Sequence, residues 1–179
     1  PLVRPVRFGS ADYRSIIFTD KNRNISAVSE LQGKTMALVD PNSTSGYLVP
    51  RAFMIEESGV DPMADLKRVD FLGGHDRVVE AVARGDFDAG AVYKDARKDV
   101  MEPSMVEKLP IIAESRPIPS EPIVIRNNLP NELKDKLLQY FLSINKERPD
   151  VMNILGENIE RFVKAHDRDY DQVRTVLHT

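Results

Sequence analysis

The chain has no cysteine, no tryptophan and only three histidines among its 179 residues. Without cysteine it can form no disulfide, no thiolate nucleophile and no cysteine-ligated metal site. No apolar run approaches the length of a membrane span. No basic segment followed by an apolar one marks a signal peptide. Lysine and arginine total 25 against 28 aspartates and glutamates, and the resulting net charge of −3 excludes a broadly basic nucleic-acid binder.

The overall composition is that of an ordinary globular protein. Hydrophobic residues make up 41% of the chain and charged residues 30%, which suits a soluble protein with a buried core. The length predicts one domain or two small lobes. Because the first residue is Pro1 and not methionine, we expect a processed product or a fragment.

Short apolar runs alternate with helical patterns along most of the chain. The runs predicted to be strands cover residues 15–18, 35–39, 69–72, 87–92, 111–113 and 123–125. This alternation is typical of an α/β fold with a largely parallel sheet. Three prolines between Pro117 and Pro122 exclude a helix there and predict an extended crossing segment. An amphipathic helix is predicted over Glu132–Asn145, with interrupted helical patterns from there to Thr179.

The strongest candidate site is the segment Asp40–Gly46, which joins a buried strand to a helix. It places three consecutive hydroxyl residues, Ser43, Thr44 and Ser45, just ahead of the helix. The first backbone N–H groups of a helix lack partners inside it, and the helix dipole favours a negative charge there. The segment therefore predicts an oxyanion site that needs no arginine or lysine. The alternative is that one hydroxyl merely caps the helix.

A second junction, Gly73–Asp76, resembles the first in its position between a strand and a helix. Asp76 is the expected N-cap, and His75 lies at the carboxyl end of the strand, where open α/β sheets bind ligands. A lone histidine is more often structural, and no second histidine lies at metal-binding spacing, which argues against a zinc site. The chain carries no phosphate-binding loop, dinucleotide-binding loop or nucleophile elbow, and its carboxylates single out no acid/base pair.

Several stretches in order along the chain resemble the phosphonate-binding proteins, the extracytoplasmic solute receptors of phosphate/phosphite/phosphonate ABC importers. The resemblance covers almost the whole chain. The loop carrying the three hydroxyl residues and the Gly74–Asp76 turn are its most specific parts. The stretches are Asp40–Gly46 with Leu48–Pro50, Tyr13–Ile17, Leu31–Lys34, Gly74–Asp76 through Gly85–Gly90, Ser115–Pro119 and Asp169–Arg174.

The resemblance implies a type II periplasmic-binding-protein fold, in which two α/β lobes close on a ligand without chemistry and without a cofactor or metal. It implies that the hydroxyl loop and His75 grip the ligand oxygens. Asp95 and Glu121 would hold the ammonium group of an aminoalkylphosphonate, unless they are solvated surface acids, and Tyr93 could line the same cleft. The implied ligand-binding residues are Tyr13, Ser43, Thr44, Ser45, His75, Asp95 and Glu121.

On this resemblance, residues 14–117 form one nearly complete ligand-binding lobe that carries both turns. Residues 1–13 and 118–179 supply crossing segments and the C-terminal part of the other lobe, whose N-terminal part is absent. Such a remnant would expose a sheet edge and apolar surface, so we expect a homodimer or another covering contact. The implied setting is the periplasm or another extracytoplasmic space, with a membrane permease as partner and no nucleic acid.

Two other functions stay open at this point. Similar domains occur as extracytoplasmic sensors of membrane signalling proteins such as histidine kinases. An enzyme on a related α/β scaffold has little support, because no pair of nucleophile and base is visible.

Overall fold

A computed structural model describes residues 1–94, 96–156 and 158–176. The chain divides into two compact units. One unit, the split unit, comprises Pro1–Tyr13 and Pro117–Arg174. The other, the sheet unit, comprises Arg14–Arg116 and the short segment from Thr175. No helix in the described part of the chain has the length and apolar character needed to cross a membrane.

The described strands are β1 (Val3–Arg7), β2 (Asp12–Tyr13), β3 (Ser15–Thr19), β4 (Thr35–Leu38), β5 (Arg68–Phe71), β6 (Ala89–Tyr93), β7 (Ile111–Glu114), β8 (Ile118–Pro119) and β9 (Ile159–Lys164). The described α-helices are α1 (Val49–Ser58), α2 (Pro62–Asp65), α3 (His75–Ala83), α4 (Ala96–Val100), α5 (Pro103–Val106), α6 (Asn131–Glu147), α7 (Pro149–Leu155) and α8 (Asp171–Val176). A π turn over Thr44–Leu48 leads into α1, and 3-10 turns cover Lys21–Arg23, Val28–Leu31 and Asp167–Tyr170.

The sheet unit is built on five strands in the order β5-β4-β6-β3-β7. Strand β4 is parallel to both of its neighbours, whereas β3 is antiparallel to both of its own. Strand residues alternate between faces. Met36 and Leu38 therefore pack with Met54 of α1 on one face, while Ala37 packs with Val78 of α3 on the other. Burial on both faces explains why β4 reads as a continuous apolar run.

The segments that carry the two predicted junctions meet at one edge of this sheet. Strands β4, β5 and β6 run in parallel, so their carboxyl ends meet at the same edge. The π turn follows β4, α3 follows β5, and Tyr93 ends β6. Strand β3 begins at this edge because Ser15 pairs with Tyr93, and β7 ends there because Ile16 pairs with Glu114.

The split unit contains two small antiparallel pairs, β1 with β9 and β2 with β8. Val3 and Phe162, one from each strand of the first pair, are buried with Ile144 of α6 and Met152 of α7. Large apolar side chains remain exposed on this unit, among them Phe8 and Ile154.

The structure confirms an α/β fold but corrects three predictions. The five-stranded sheet is mixed, since two of its four pairings are antiparallel; apolar runs do not encode strand direction. The helical pattern predicted up to the C-terminus is interrupted by β9. There Ile159, Phe162 and Val163 have the i, i+3, i+4 spacing of a helix, yet the segment pairs with β1 along its length. The run at 123–125 forms a single bridge from Ile123 to Val3, not a strand.

Candidate functional site

The π turn is shaped by backbone hydrogen bonds that converge on Ser43. The carbonyl oxygen of Ser43 accepts from the amides of Tyr47 and Leu48, each at 3.0 Å, and the Ser43 amide donates to the Asp40 carbonyl at 3.1 Å. The carboxylate of Asp40 accepts from the Asn42 amide at 2.8 Å. The chain thereby leaves β4, reverses within a few residues and enters α1 with the hydroxyl residues at its start.

The three hydroxyls of this turn are not equivalent. The Ser43 side chain caps the turn, because its oxygen accepts from the Gly46 amide at 3.1 Å. The capping interpretation therefore holds for Ser43, whose own O–H can still donate. Within the described part of the chain, the side chains of Thr44 and Ser45 have no protein hydrogen-bond partner, and neither do their amides, although Ser45 is buried. These donors are what an oxyanion requires.

Steric contact explains why residue 46 is a glycine. Its carbonyl accepts from the Val39 amide at 3.3 Å, which brings the turn against the end of β4. A Cβ on this residue would lie 2.3 Å from Cγ2 of Val39 and 2.8 Å from the Ser43 hydroxyl oxygen. Glycine is therefore needed here for a close approach between the turn and the strand.

The second junction places His75 at the first position of α3. Gly74 is the N-cap and has no side chain to cap the helix, so the predicted Asp76 cap is wrong. The helix begins two residues earlier than predicted, and Asp76 lies in its first turn. The imidazole Nδ1 of His75 accepts from the backbone amide of Tyr93 at 3.4 Å. The two rings meet edge to face, with centroids 4.8 Å apart. In the neutral imidazole the proton is therefore on Nε2, which becomes a hydrogen-bond donor.

The electrostatics of His75 favour this neutral form. Burial lowers the pKa of the imidazole, and this outweighs the charges of Asp40 and Asp76, which act to raise the pKa. At neutral pH His75 is therefore an uncharged N–H donor at the same edge of the sheet as the uncharged donors of the turn.

Acid is expected to destabilise the protein through His75. Because its folded pKa is lowered, the unfolded chain binds the proton more readily, so the stability contributed by neutral His75 is complete above about pH 6.5 and is lost as the pH falls towards the folded value. Urea unfolding between pH 7.5 and 5 should show a smaller fall in the free energy of unfolding for His75→Gln than for the unmodified chain. Identical pH dependence in the two proteins would contradict this.

The structure brings together only some of the predicted residues. Ser43, Thr44, Ser45 and His75 belong to segments that meet at one edge of the sheet unit. Tyr13 and Glu121 belong to the split unit. There Tyr13 pairs with Ile118 in the β2–β8 ladder, and Glu121 accepts from Arg7 at 2.6 Å. Asp95 lies outside the described residues.

Two further residues of the same edge carry polar contacts. The Tyr93 hydroxyl donates to Asp99 at 2.7 Å, which anchors the ring packed on His75. Sequence reasoning did not single out Ser15, whose buried hydroxyl donates to the Ser45 carbonyl at 2.6 Å. The available signal was a polar residue at the start of the apolar run 15–18. No group of histidine, aspartate and glutamate side chains within the described ranges has the geometry of a metal site.

Comparison with known proteins places this chain in a family. The family model described as "ABC transporter, phosphonate, periplasmic substrate-binding protein" matches residues 1–170. The phosphonates-binding periplasmic protein of Escherichia coli strain K12 is 34% identical over 157 residues, which cover 83% of this chain and 46% of that protein. The phosphate-import protein PhnD of Mycolicibacterium smegmatis is 32% identical over 175 residues, which cover 86% of this chain and 53% of that protein.

A solved structure agrees with these relatives. The binding protein component of an ABC phosphonate transporter from Pseudomonas aeruginosa is 29% identical, with a TM-score of 0.76; the match covers 98% of this chain and 60% of that one. The chain spans about half the length of the curated relatives it matches. Its fold is therefore part of a type II periplasmic-binding-protein fold, and the chain belongs to the family of periplasmic substrate-binding proteins of phosphonate ABC transporters.

Proposed function

We propose that this chain is the extracytoplasmic solute-binding component of an ABC importer and that it binds a phosphonate, phosphite or phosphate without changing it chemically. The observation that carries the proposal is the turn at the start of α1, where the hydroxyls and amides of Thr44 and Ser45 have no acceptor among the described residues. The relatives named for phosphonates and for phosphate support a phosphorus oxyanion as the ligand.

The physical basis is an anion held by uncharged donors. The π turn and α1 form a continuous helical segment from Thr44 to Ser58, whose dipole favours a negative charge at its start. Hydrogen bonds from hydroxyls, amides and the Nε2–H of His75 are stronger where water is excluded, so the site needs no cationic side chain. Neutral donors also suit a receptor that must release its ligand.

Titration calorimetry with phosphate, phosphite, methylphosphonate, 2-aminoethylphosphonate and sulfate tests this function. We expect heat from at least one phosphorus ligand and none from sulfate. Phosphorus NMR of the ligand after incubation should show the same compound, since the proposal includes no reaction. If none of the phosphorus ligands gives binding heat, the proposal for this chain is overturned. A chemically altered ligand would overturn the part of the proposal that excludes a reaction.

We further propose that the acidic side chains of the proposed ligand-binding set recognise the ammonium group of an aminoalkylphosphonate. Glu121 is well exposed and paired with Arg7 at 2.6 Å. An exposed pair of this kind contributes little stability, so a ligand ammonium can compete for the carboxylate. Tyr13 and Asp95 complete the proposed ligand-binding set.

Glu121→Gln is expected to weaken 2-aminoethylphosphonate about five- to tenfold, which corresponds to about 1 kcal/mol for the lost charge pair. Methylphosphonate lacks the amine and should bind as before. Glu132→Gln, which neutralises an exposed carboxylate on α6, is the matched control. Equal effects of Glu121→Gln on both ligands would refute the proposed contact with the amine.

The partners follow from the same proposal. An importer component requires a membrane permease, and we propose a periplasmic or other extracytoplasmic location for the chain. The homodimer expected from the sequence stays a prediction. Light scattering across micromolar concentrations tests it, and a monomer throughout that range would contradict it.

A further inference from the structure

In the π turn over Thr44–Leu48, which we call the oxyanion turn, the carbonyl of Ser45 has no amide donor among the described residues. In a π turn a carbonyl accepts from the amide five residues later. For Ser45 that residue is Pro50, which has no N–H. The alternative donor four residues later is the Val49 amide, but it donates to Thr44. A buried carbonyl without a donor is costly, so the turn requires a donor from elsewhere.

The hydroxyl of Ser15 supplies this donor. Ser15 is 2% exposed and Ser45 is 4% exposed, and the Ser15 hydroxyl donates to the Ser45 carbonyl at 2.6 Å. On the other side of the same peptide plane, the Gly46 amide donates to the Ser43 hydroxyl oxygen at 3.1 Å. The peptide between Ser45 and Gly46 is therefore held at both of its polar ends by serine side chains.

Ser15 is itself held in place by Ser115, which follows β7. The Ser15 amide donates to the Ser115 hydroxyl at 3.0 Å, and the Ser115 amide donates back to the Ser15 carbonyl at 2.9 Å. The Ser115 hydroxyl donates onward to the Arg116 carbonyl at 2.8 Å. These bonds fix the Ser15 backbone at the start of β3, from which its hydroxyl reaches the turn.

We propose that Ser15 is a positioning residue of the oxyanion turn. Its hydroxyl replaces the amide that Pro50 lacks, fixes the Ser45–Gly46 peptide and thereby sets the direction of the donors of Thr44 and Ser45. Ser15 itself does not touch the ligand. The effect on the turn follows from the contacts above, whereas the effect on ligand affinity rests on the proposed function.

A double-mutant cycle between Ser15→Ala and Pro50→Ala tests this role. Ser15→Ala is expected to weaken methylphosphonate about tenfold, the effect of one lost hydrogen bond. Pro50→Ala returns an amide to the position from which it can reach the Ser45 carbonyl. In the Pro50→Ala background the Ser15→Ala substitution should therefore weaken binding clearly less than in the unmodified chain. An equal loss in both backgrounds would overturn the proposal, because a general effect on folding would not depend on Pro50.

Amide hydrogen exchange of the ligand-free protein gives a second measurement. Ser15→Ala should speed exchange at Tyr47 and Leu48, whose amides close the turn on Ser43. Ser58→Ala is the control, because it removes a hydroxyl that donates to the Met54 carbonyl at the other end of α1. Unchanged exchange at the turn in Ser15→Ala would overturn the proposal even if no ligand binds.

Thr44→Ala separates this inference from the proposed function. A loss of affinity in Thr44→Ala with normal binding and normal exchange in Ser15→Ala would overturn only the role of Ser15. The opposite result is normal binding in Thr44→Ala together with faster exchange in Ser15→Ala. That result would support the structural role of Ser15 and would contradict the assignment of the turn as the ligand site.

Discussion

Replacing Thr44 or Ser45 by alanine is expected to raise the Kd for the bound phosphorus oxyanion about ten- to a hundredfold. Each substitution removes one hydroxyl donor to a charged oxygen, and such a hydrogen bond contributes about 1.5–3 kcal/mol. Neither hydroxyl has a protein partner among the described residues, so its loss should leave folding nearly unaffected. Titration calorimetry of the two variants measures the effect, and thermal unfolding shows whether stability is preserved.

A matched variant should leave the Kd unchanged. Ser143→Ala removes a hydroxyl of α6 that donates to the Gln139 carbonyl at 3.0 Å, and Ser143 belongs to the split unit, whereas the turn belongs to the sheet unit. Because Thr44 and Ser45 are adjacent, the double variant should show less than the sum of the two single losses in binding free energy. Unchanged affinity in both single variants would remove the turn from the ligand site.

The turn and the histidine could be predicted because their signals are local. Three hydroxyls follow a short loop after a run that is apolar on both faces, and β4 does lie inside a sheet. His75 follows the next strand. Since adjacent parallel strands end at one edge, strand order alone brings the two segments together. The segments concerned are Ser43–Ser45 and Gly73–His75, and both lie where the pattern placed them.

The features that sequence reasoning missed depend on distant partners. Ser15 is important because of Ser45, thirty residues later along the chain, and nothing near Ser15 indicates that contact. Strand β9 has the apolar spacing of a helix and becomes a strand only by pairing with β1 at the other end of the chain. Gly46 is different, because the residue that excludes a Cβ there is the nearby Val39, and only the folded turn brings the two into contact.

Gly46→Ala is expected to disrupt the turn more severely than any single loss of a hydroxyl. The new Cβ would lie 2.3 Å from Cγ2 and 2.5 Å from Cβ of Val39. The second contact involves the Cβ of Val39, which is attached directly to the backbone, so no side-chain rotation relieves it. The turn must move away from β4, which breaks the bond from the Val39 amide to Gly46 and draws Ser45 from Ser15. We expect a loss of about 1–3 kcal/mol in stability, as for overpacked cores, together with loss of ligand binding.

Gly59→Ala distinguishes this steric effect from the general cost of replacing a glycine. Gly59 ends α1 with a φ of +70°, so alanine there is strained, but a Cβ would meet no atom within 4 Å. Its cost should be about 1 kcal/mol of stability with no change in Kd, because the strained residue lies at the opposite end of the helix. Urea unfolding and calorimetry of the two variants separate the effects. The Kd values of the two variants are compared at equal folded fraction. If Gly46→Ala binds the ligand as tightly as Gly59→Ala does, the position of the turn against Val39 does not set ligand affinity.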